Sequence, residues 1–365
     1  MNVEILMLVI VTAMATSLIG VFLVLRGLSM MTDAISHTIL LGIVIAYYFV
    51  NDLNSPYLLV GATMMGVLTV YLIEGVMKVK HVDKGAAIGI VFTMLFSVAI
   101  IIVNTALRNV HLDIHTVLLG KLEFSVFNRA ACAGIDLPVS LWVMAVVLLI
   151  NVTVYATLFK EIKLVSFDSA LAGALGFLPG LIFYIMMTLA SLTAVAAFDA
   201  VGAILVIALM VGPPATALFF SKSLFYTILY TLAVSVFNGV LGYQLSVLFD
   251  VTISGMIATM TLVSFLLGLT FSPRKGLLSQ WVTMKSQKRY VAFITLLEHI
   301  RNHQHEAEEE LNVHTIHEHF SWKQSSMDRM IEKGEKQGLI EIRDNLLCLT
   351  RKGRSYYIES QGGHS

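Results

Sequence analysis

An acidic and a basic side chain, Asp33 and His37, stand four residues apart in an otherwise apolar stretch of the sequence. Residues at positions i and i+4 lie on one face of a helix, so that the carboxylate and the imidazole can contact the same ligand. An ionisable residue at the centre of a membrane helix costs about 2.5–3.5 kcal/mol on insertion scales and is a candidate functional residue by default. Oxygen together with imidazole nitrogen suits Mn²⁺, Zn²⁺ or Fe²⁺, whereas Cu⁺ prefers sulfur. The pair therefore predicts a divalent-metal site; the alternative is that Asp33 caps the helix and His37 hydrogen-bonds a neighbouring helix.

The composition indicates that this pair belongs to a membrane protein. Of the 365 residues, 57% are hydrophobic and only 13% are charged, whereas soluble domains contain about 25% charged residues. Residues 1–273 contain 10 Lys/Arg and 12 Asp/Glu, and the shorter segment 274–365 contains 14 and 12. We therefore expect a transmembrane domain at 1–273, a linker at 274–287 and a cytoplasmic domain at 288–360. The net charge of zero gives no indication of a nucleic-acid partner.

Apolar runs of about 20 residues, the length that crosses a bilayer, predict an all-α polytopic membrane domain of about nine transmembrane helices. These helices are expected near residues 5–25, 32–50, 57–77, 86–104, 138–159, 176–194, 199–219, 224–248 and 252–271. Basic residues are concentrated in the loops 77–84 and 160–163, which the positive-inside rule places in the cytoplasm. The N-terminus and the segment 104–138 are then outside, and the C-terminus is inside.

Three further stretches combine polar residues with apolar runs. They are Phe167–Gly176, a polar-to-apolar segment before a helix, Asp199–Ala217, and His111–Glu123 in the expected external segment. Together with the motif at 33–37, they closely resemble the permease subunits of bacterial ATP-binding-cassette importers for manganese, zinc and iron. The resemblance extends over residues 5–270, nearly the whole of the expected transmembrane domain.

The resemblance implies a transport subunit rather than an enzyme, located in the inner cell membrane and paired with an identical or paralogous permease. Two cytoplasmic ATPase subunits and an extracytoplasmic metal-binding protein would complete the importer. The sequence contains no G-x-x-x-x-G-K-[ST] phosphate-binding loop, so ATP hydrolysis is assigned to the partner. No tightly bound cofactor is expected. The transported ion is Mn²⁺, Zn²⁺ or Fe²⁺, with Mn²⁺ favoured because of the carboxylate and the absence of cysteine ligands.

The resemblance also assigns roles to individual residues. Asp33 and His37 match a metal-coordinating pair in the transport pathway. A second group matches the coupling helix, which sits in a cleft of the ATPase. This group consists of Phe167, Asp168, Ala172, Leu175 and Gly176.

Three more residues are candidates for the metal pathway. Asp199 lies where two apolar runs are separated only by residues 196–200, and it is either a second pathway carboxylate or an ordinary loop residue at the membrane surface. His111 and His115 are four residues apart in the external segment. They either receive the metal or belong to an exposed loop that contacts the binding protein, and we favour the loop.

The C-terminal part of the sequence has the pattern of a small separate domain. Helices are expected at 290–303, 314–320 and 323–337, strands at 339–343 and 346–350, and a last helix after them. This order resembles a winged helix-turn-helix, and Leu349–Gly353 resembles the corresponding end of bacterial metal-responsive repressors. From Lys285 onward the sequence contains 12 Lys/Arg and 12 Asp/Glu, whereas a DNA reader usually has a basic face. We therefore favour a regulatory or assembly role over DNA binding.

Seven of the eleven histidines also lie in this C-terminal part, and His299 and His303 are four residues apart. They are either ligands of a cytoplasmic metal sensor or members of a solvated, acidic surface, and we favour the surface. The leading hypothesis is thus an ATP-driven metal permease with a winged-helix tail. One rival is a membrane-tethered metal-responsive regulator that acts through the tail. The other is a secondary carrier that works without an ATPase.

Overall fold

The computed structural model describes the chain in two compact units, Met1–Leu277 and Leu278–Ser365. The residues described are 2–52, 55–106, 122, 128–132, 135–273, 276–303, 308–320 and 322–362. Within these ranges the structure contains nine helices that are long and apolar enough to cross a membrane. The expectation of a mostly helical chain with about nine candidate membrane-spanning helices is therefore confirmed.

The nine long helices of the first unit are interrupted by a small hairpin and by two short helices. In chain order the elements are α1 (Asn2–Leu25), α2 (Ser29–Val50), α3 (Pro56–Met77), α4 (Lys84–Ala106), β1 (Arg129–Cys132), β2 (Ile135–Pro138), α5 (Val139–Thr157), α6 (Phe159–Phe167), α7 (Ser169–Ala174), α8 (Pro179–Val201), α9 (Ala203–Phe220), α10 (Leu224–Phe249) and α11 (Ile253–Phe271). β1 and β2 pair antiparallel.

The core of the first unit is built around α1, which packs against α5, α8, α9 and α10. In the most apolar stretch of α1, 72% of the residues are buried, and the same fraction is buried in α8. In the corresponding stretch of α4 only 28% are buried. A small residue allows the closest approach: a Cβ added to Gly20 of α1 would lie 1.9 Å from the carbonyl oxygen of Met210 in α9. Small residues bring helix backbones together in this way in membranes, where dispersion contacts stabilise helix pairs. The backbones of α1 and α9 are therefore in direct contact.

Polar contacts mark the two ends of the membrane unit. At one end, the guanidinium of Arg26 donates to the carbonyl of Val165, 3.0 Å away, and the ammonium of Lys84 lies 3.5 Å from the carbonyl of Arg26. At the other end, Arg129 pairs with Glu4 at 2.9 Å and with Asp136 at 3.0 Å. Arg26 follows α1 and precedes α2. The beginnings of α2 and α4 and the end of α6, where Val165 lies, are therefore at the same end of the unit.

The expected break at residues 196–200 is displaced in the structure. Helix α8 continues through Asp199 to Val201, and the chain breaks at Gly202, whose φ is +83°. Glycine adopts positive φ without the steric penalty of a Cβ. Asp199 therefore lies in the last turn of a helix and not in a loop.

The second unit contains helices and a two-stranded sheet. Its elements are α12 (Leu277–His303), a 3₁₀ turn (Glu308–Leu311), α13 (Ile316–His319), α14 (Gln324–Lys336), β3 (Ile340–Arg343), β4 (Leu346–Leu349) and α15 (Arg351–Gly362). Apolar residues of α12, α14 and the sheet form a separate core. Helix α12 begins earlier than the expected helix and includes most of the expected linker. Asp344 and Asn345 join the strands with φ values of 50° and 63°, as in the two-residue turns that match strand twist.

Candidate metal site

The structure brings Asp33 and His37 together on one face of α2. The Nε2 atom of His37 lies 3.4 Å from Oδ1 of Asp33, and the side chains are 30% and 50% exposed, respectively. Helix α2 begins at Ser29, and Leu28 is its N-cap residue. Asp33 therefore does not cap the helix, and its carboxylate is directed at the imidazole one turn away.

Helix α4 fixes the orientation of the histidine ring. The imidazole of His37 stacks on Phe92 with ring centroids 5.7 Å apart and meets the edge of Phe96 at 5.2 Å. The two phenylalanines are four residues apart and so lie on one face of α4. They could not be identified from the sequence, because their spacing alone is indistinguishable from ordinary apolar packing.

The opposite face of α2 is anchored to α3. The hydroxyl of Thr69 donates to the hydroxyl of Thr38, 2.8 Å away, and both side chains are buried. A Cβ added to Gly42 of α2 would lie 2.5 Å from the carbonyl oxygen of Gly61 in α3. The residue after His37 is thus held by a hydrogen bond and the helix by a close backbone contact. These contacts hold the backbone of α2 against α3, while the rings of α4 contact the imidazole itself.

The depth of the pair follows from the helix geometry. His37 lies eight residues after the start of α2, which corresponds to about 12 Å of helical rise. Phe92 also lies eight residues after the start of α4, and both helices begin at the Arg26 end. Asp33 is one turn nearer that end. The imidazole is therefore about a third of the way along its helix.

Asp199 is not part of the same cluster. Hydrogen bonds of α3 show which parts of α2 and α8 lie at the same level. Thr69 of α3 bonds to Thr38 of α2. On either side of Thr69, the carbonyl of Thr63 accepts a hydrogen bond from Ser191 of α8, and the carboxylate of Glu74 accepts one from Tyr184 of α8. The Asp33–His37 pair is thus level with the part of α8 that precedes Ser191. Asp199 lies eight residues beyond Ser191, or about 12 Å farther along the axis. Its exposed side chain therefore lies nearer the end of the unit opposite to Arg26.

The two external histidines, His111 and His115, lie outside the residues that the structure describes. Both roles considered for them stay predictions. On one side of them in the chain, α4 ends at Ala106; on the other, β1 begins at Arg129, which pairs with Glu4 of α1.

The segment Phe167–Gly176, which we call the coupling segment, consists of the last residue of α6 and the short capped helix α7. The carboxylate of Asp168 accepts the backbone N–H three residues later at 2.9 Å and so caps α7. Phe167 and Leu175 are 62% and 61% exposed, whereas Ala172 is fully buried. Gly176 ends α7 with a φ of +85°. Of the five residues assigned to this segment, Phe167 and Leu175 therefore offer apolar surface. The other three cap α7, pack beneath it or end it.

Comparisons with known proteins give one consistent family. The family model described as "ABC 3 transport family" matches residues 2–272. The chain is 38% identical over 357 residues to the zinc transport system membrane protein TroD of Treponema pallidum, covering 97% of each chain. It is 40% identical over 281 residues to the manganese transport system membrane protein MntD of Bacillus subtilis, covering 76% of this chain and 95% of that one.

A solved structure is similar over the same region. It is described as PsaBC from Streptococcus pneumoniae in complex with Fab, with a TM-score of 0.63 and 25% sequence identity. The match covers 77% of this chain and 94% of that chain. The alignment with TroD extends through most of the second unit, whereas the family match ends at residue 272.

Proposed function

The chain belongs to the ABC 3 transport family, and we propose that it is the membrane-spanning permease of an ATP-driven importer of divalent metal ions. The observation that carries the proposal is the approach of His37 Nε2 to Asp33 Oδ1 at 3.4 Å on α2. One relative is described as a zinc and another as a manganese transport protein. The oxygen and nitrogen donors suit both ions and Fe²⁺, and we favour Mn²⁺ because of the hard carboxylate.

A pair of ligands from one chain does not complete a coordination shell. Divalent metals in this class take four to six ligands, and a transported ion must also be released. Both side chains are partly exposed on the single chain. A second permease, identical or paralogous, that faces α2 would contribute a matching pair. The transported ion would then be held between two subunits by two carboxylates and two imidazoles.

The coupling segment is the proposed contact with the ATPase. Its exposed apolar side chains Phe167 and Leu175 flank the short helix α7 at the basic end of the unit, and an exposed apolar patch is typical of a protein-binding surface. The hydrogen bond from Arg26 to Val165 joins the helix before α7 to the residues that precede α2. A displacement of the coupling segment would therefore act on the helix that carries Asp33 and His37, as alternating access requires.

In the proposed orientation this end and the C-terminal unit are cytoplasmic, which the positive-inside rule supports through the basic residues of this end. An extracytoplasmic metal-binding protein would dock at the opposite end, where the external segment begins. For the second unit we propose a winged helix-turn-helix, supported by the order of its helices and by the hairpin at Asp344 and Asn345. Its proposed role is in regulation or assembly.

Metal flux into proteoliposomes tests the proposal. The purified chain, reconstituted with and without a candidate ATPase subunit, is expected to accumulate Mn²⁺ or Zn²⁺ only when the ATPase and ATP are both present. Accumulation without the ATPase would instead identify a secondary carrier. Absence of flux combined with promoter binding by the chain would identify the membrane-tethered regulator.

A further inference from the structure

We propose that the second unit contains a metal site of its own, formed by His299, His303 and Glu310. Each residue offers one ligand atom, and the three atoms lie within 4.8 Å of one another. His299 and His303 end α12, and Glu310 lies in the 3₁₀ turn that follows in the structure. Two imidazoles and a carboxylate are a donor set for borderline divalent metals such as Zn²⁺ and Fe²⁺.

His303 already has the hydrogen bonding of a metal ligand. Its Nδ1 lies 3.0 Å from the carbonyl oxygen of His299, and a metal-binding histidine almost always donates its second ring nitrogen to such an acceptor. The other nitrogen, Nε2, lies 3.2 Å from Oε2 of Glu310. Two ligands of one tetrahedral zinc ion, each bonded at about 2.1 Å, are about 3.4 Å apart. The two donor atoms therefore stand at the separation that a shared ion requires.

His299 supplies an independent observation. Its Nε2 atom is buried, and no hydrogen-bond partner for it is found among the residues that the structure describes. A buried polar atom without a partner is uncommon in folded proteins, and an ion is one of its physical explanations. The ring of His299 lies beside that of His303, with centroids 4.3 Å apart, and against Phe320 at 4.9 Å. A metal ion bound to this nitrogen would satisfy it within a partly apolar pocket.

A fourth ligand is within reach on α13. The exposed ring of His319 has its centroid 5.9 Å from that of His299, so that a change of its side-chain rotamer, or a water molecule, would complete four-fold coordination. Three imidazoles and a carboxylate favour Zn²⁺ or Fe²⁺ over Mn²⁺, which prefers oxygen. The bound ion would tie the end of α12 to the 3₁₀ turn and to α13.

The site stands on the geometry of the second unit alone. If the site also senses the transported metal, as a cytoplasmic sensor would, that part of the proposal rests on the proposed transport function. The experiment therefore measures binding and not flux, in the full chain with Asp33→Ala and His37→Ala, so that the pair on α2 does not contribute. Bound Zn²⁺ is counted by equilibrium dialysis of the detergent-purified chain, and Co²⁺ reports the ligand field through its visible absorption.

Three further variants are made in that background. We expect His299→Ala with His303→Ala to lose one Zn²⁺ per chain and the Co²⁺ bands. The matched control, His314→Ala with His317→Ala in the same unit, should retain both. Glu310→Gln, which keeps the fold of the turn, should weaken Zn²⁺ binding by at least the roughly 10-fold lost with an outer-shell partner. Equal Zn²⁺ stoichiometry and affinity in all variants, or an equal loss in the control, overturns the proposal.

Discussion

The guanidinium of Arg26 donates a hydrogen bond to the backbone carbonyl of Val165, 3.0 Å away. Arg26 lies between α1 and α2, and Val165 lies in α6, two residues before the coupling segment. This bond therefore links the segment proposed to contact the ATPase with the helix that carries Asp33 and His37. A charged donor makes a stronger bond to a carbonyl than a neutral one does.

The first prediction concerns this link. Arg26→Ala is expected to lower metal flux while ATP hydrolysis by the assembled complex continues, because movement of the coupling segment no longer reaches α2. Arg26→Lys keeps the charge and should restore part of the flux. The measurement is the ratio of Mn²⁺ transported to ATP hydrolysed in proteoliposomes. An unchanged ratio in Arg26→Ala would remove this bond from the coupling path.

The metal ligands give the second prediction. Asp33→Ala and His37→Ala should each reduce metal accumulation to background, because each removes one of the two donors that the chain supplies. Membrane insertion and co-purification with the ATPase should be unchanged, since both side chains are partly exposed and outside the core. Uptake of radioactive Mn²⁺, corrected for the amount of chain in the membrane, measures the effect. Wild-type uptake in either variant would exclude that residue from the pathway.

The aromatic support of His37 gives the third prediction. An aromatic pair contributes about 0.5–1.5 kcal/mol beyond burial, so Phe96→Ala is expected to raise the KM for metal about two- to twelve-fold with little change in the amount of folded chain. Met94→Ala is the matched control, because Met94 lies on the same helix and is 55% exposed. Equal KM values for both variants would show that the ring does not position the imidazole.

The fourth prediction concerns packing of α1 on α9. In Gly20→Ala the new Cβ would lie 1.9 Å from the carbonyl oxygen of Met210, so the backbones must separate, at a cost of about 1–3 kcal/mol. The control, Gly89→Ala on α4, meets nothing within 4 Å and should be neutral or stabilising, because alanine favours helix. Thermal unfolding in detergent should show a lower Tm for Gly20→Ala alone.

The coupling segment gives the fifth prediction. Leu175→Asp places a charge on the exposed apolar surface and should prevent co-purification of the ATPase, while the chain still inserts. Val79→Asp, at another exposed apolar position outside the coupling segment, should retain the ATPase. Retention in both variants would locate the ATPase contact elsewhere.

The membrane helices and the approach of Asp33 to His37 were predictable because both follow from local rules, hydrophobic length and the i to i+4 spacing. The position of the break between α8 and α9 was predicted wrongly. Asp199 looked like a loop residue by its charge, but one carboxylate does not end a helix that its apolar neighbours stabilise, whereas Gly202 does so through its positive φ. A glycine in an apolar run does not by itself locate such a break, because glycines such as Gly20 also lie inside helices of this chain.

Contacts between distant elements were not predictable. Phe92 and Phe96 meet His37 only because α4 packs against α2. In the second unit, the spacing of His299 and His303 was visible, but the carboxylate that joins them was not distinguishable from its acidic neighbours. In the structure, the carboxylate of Glu310 in the 3₁₀ turn lies 3.2 Å from Nε2 of His303 at the end of α12.

The contact of Gly20 with the backbone of Met210 has a consequence for how the membrane unit can move. Two helices in backbone contact cannot slide past each other without a clash, so we expect α1 and α9 to move together. Helix α4 has few buried residues, and α2 carries the metal ligands at a partly exposed face. The stationary part of the transport cycle is therefore expected to include α1 and α9, and movement is expected where helix packing is loosest, as at α4.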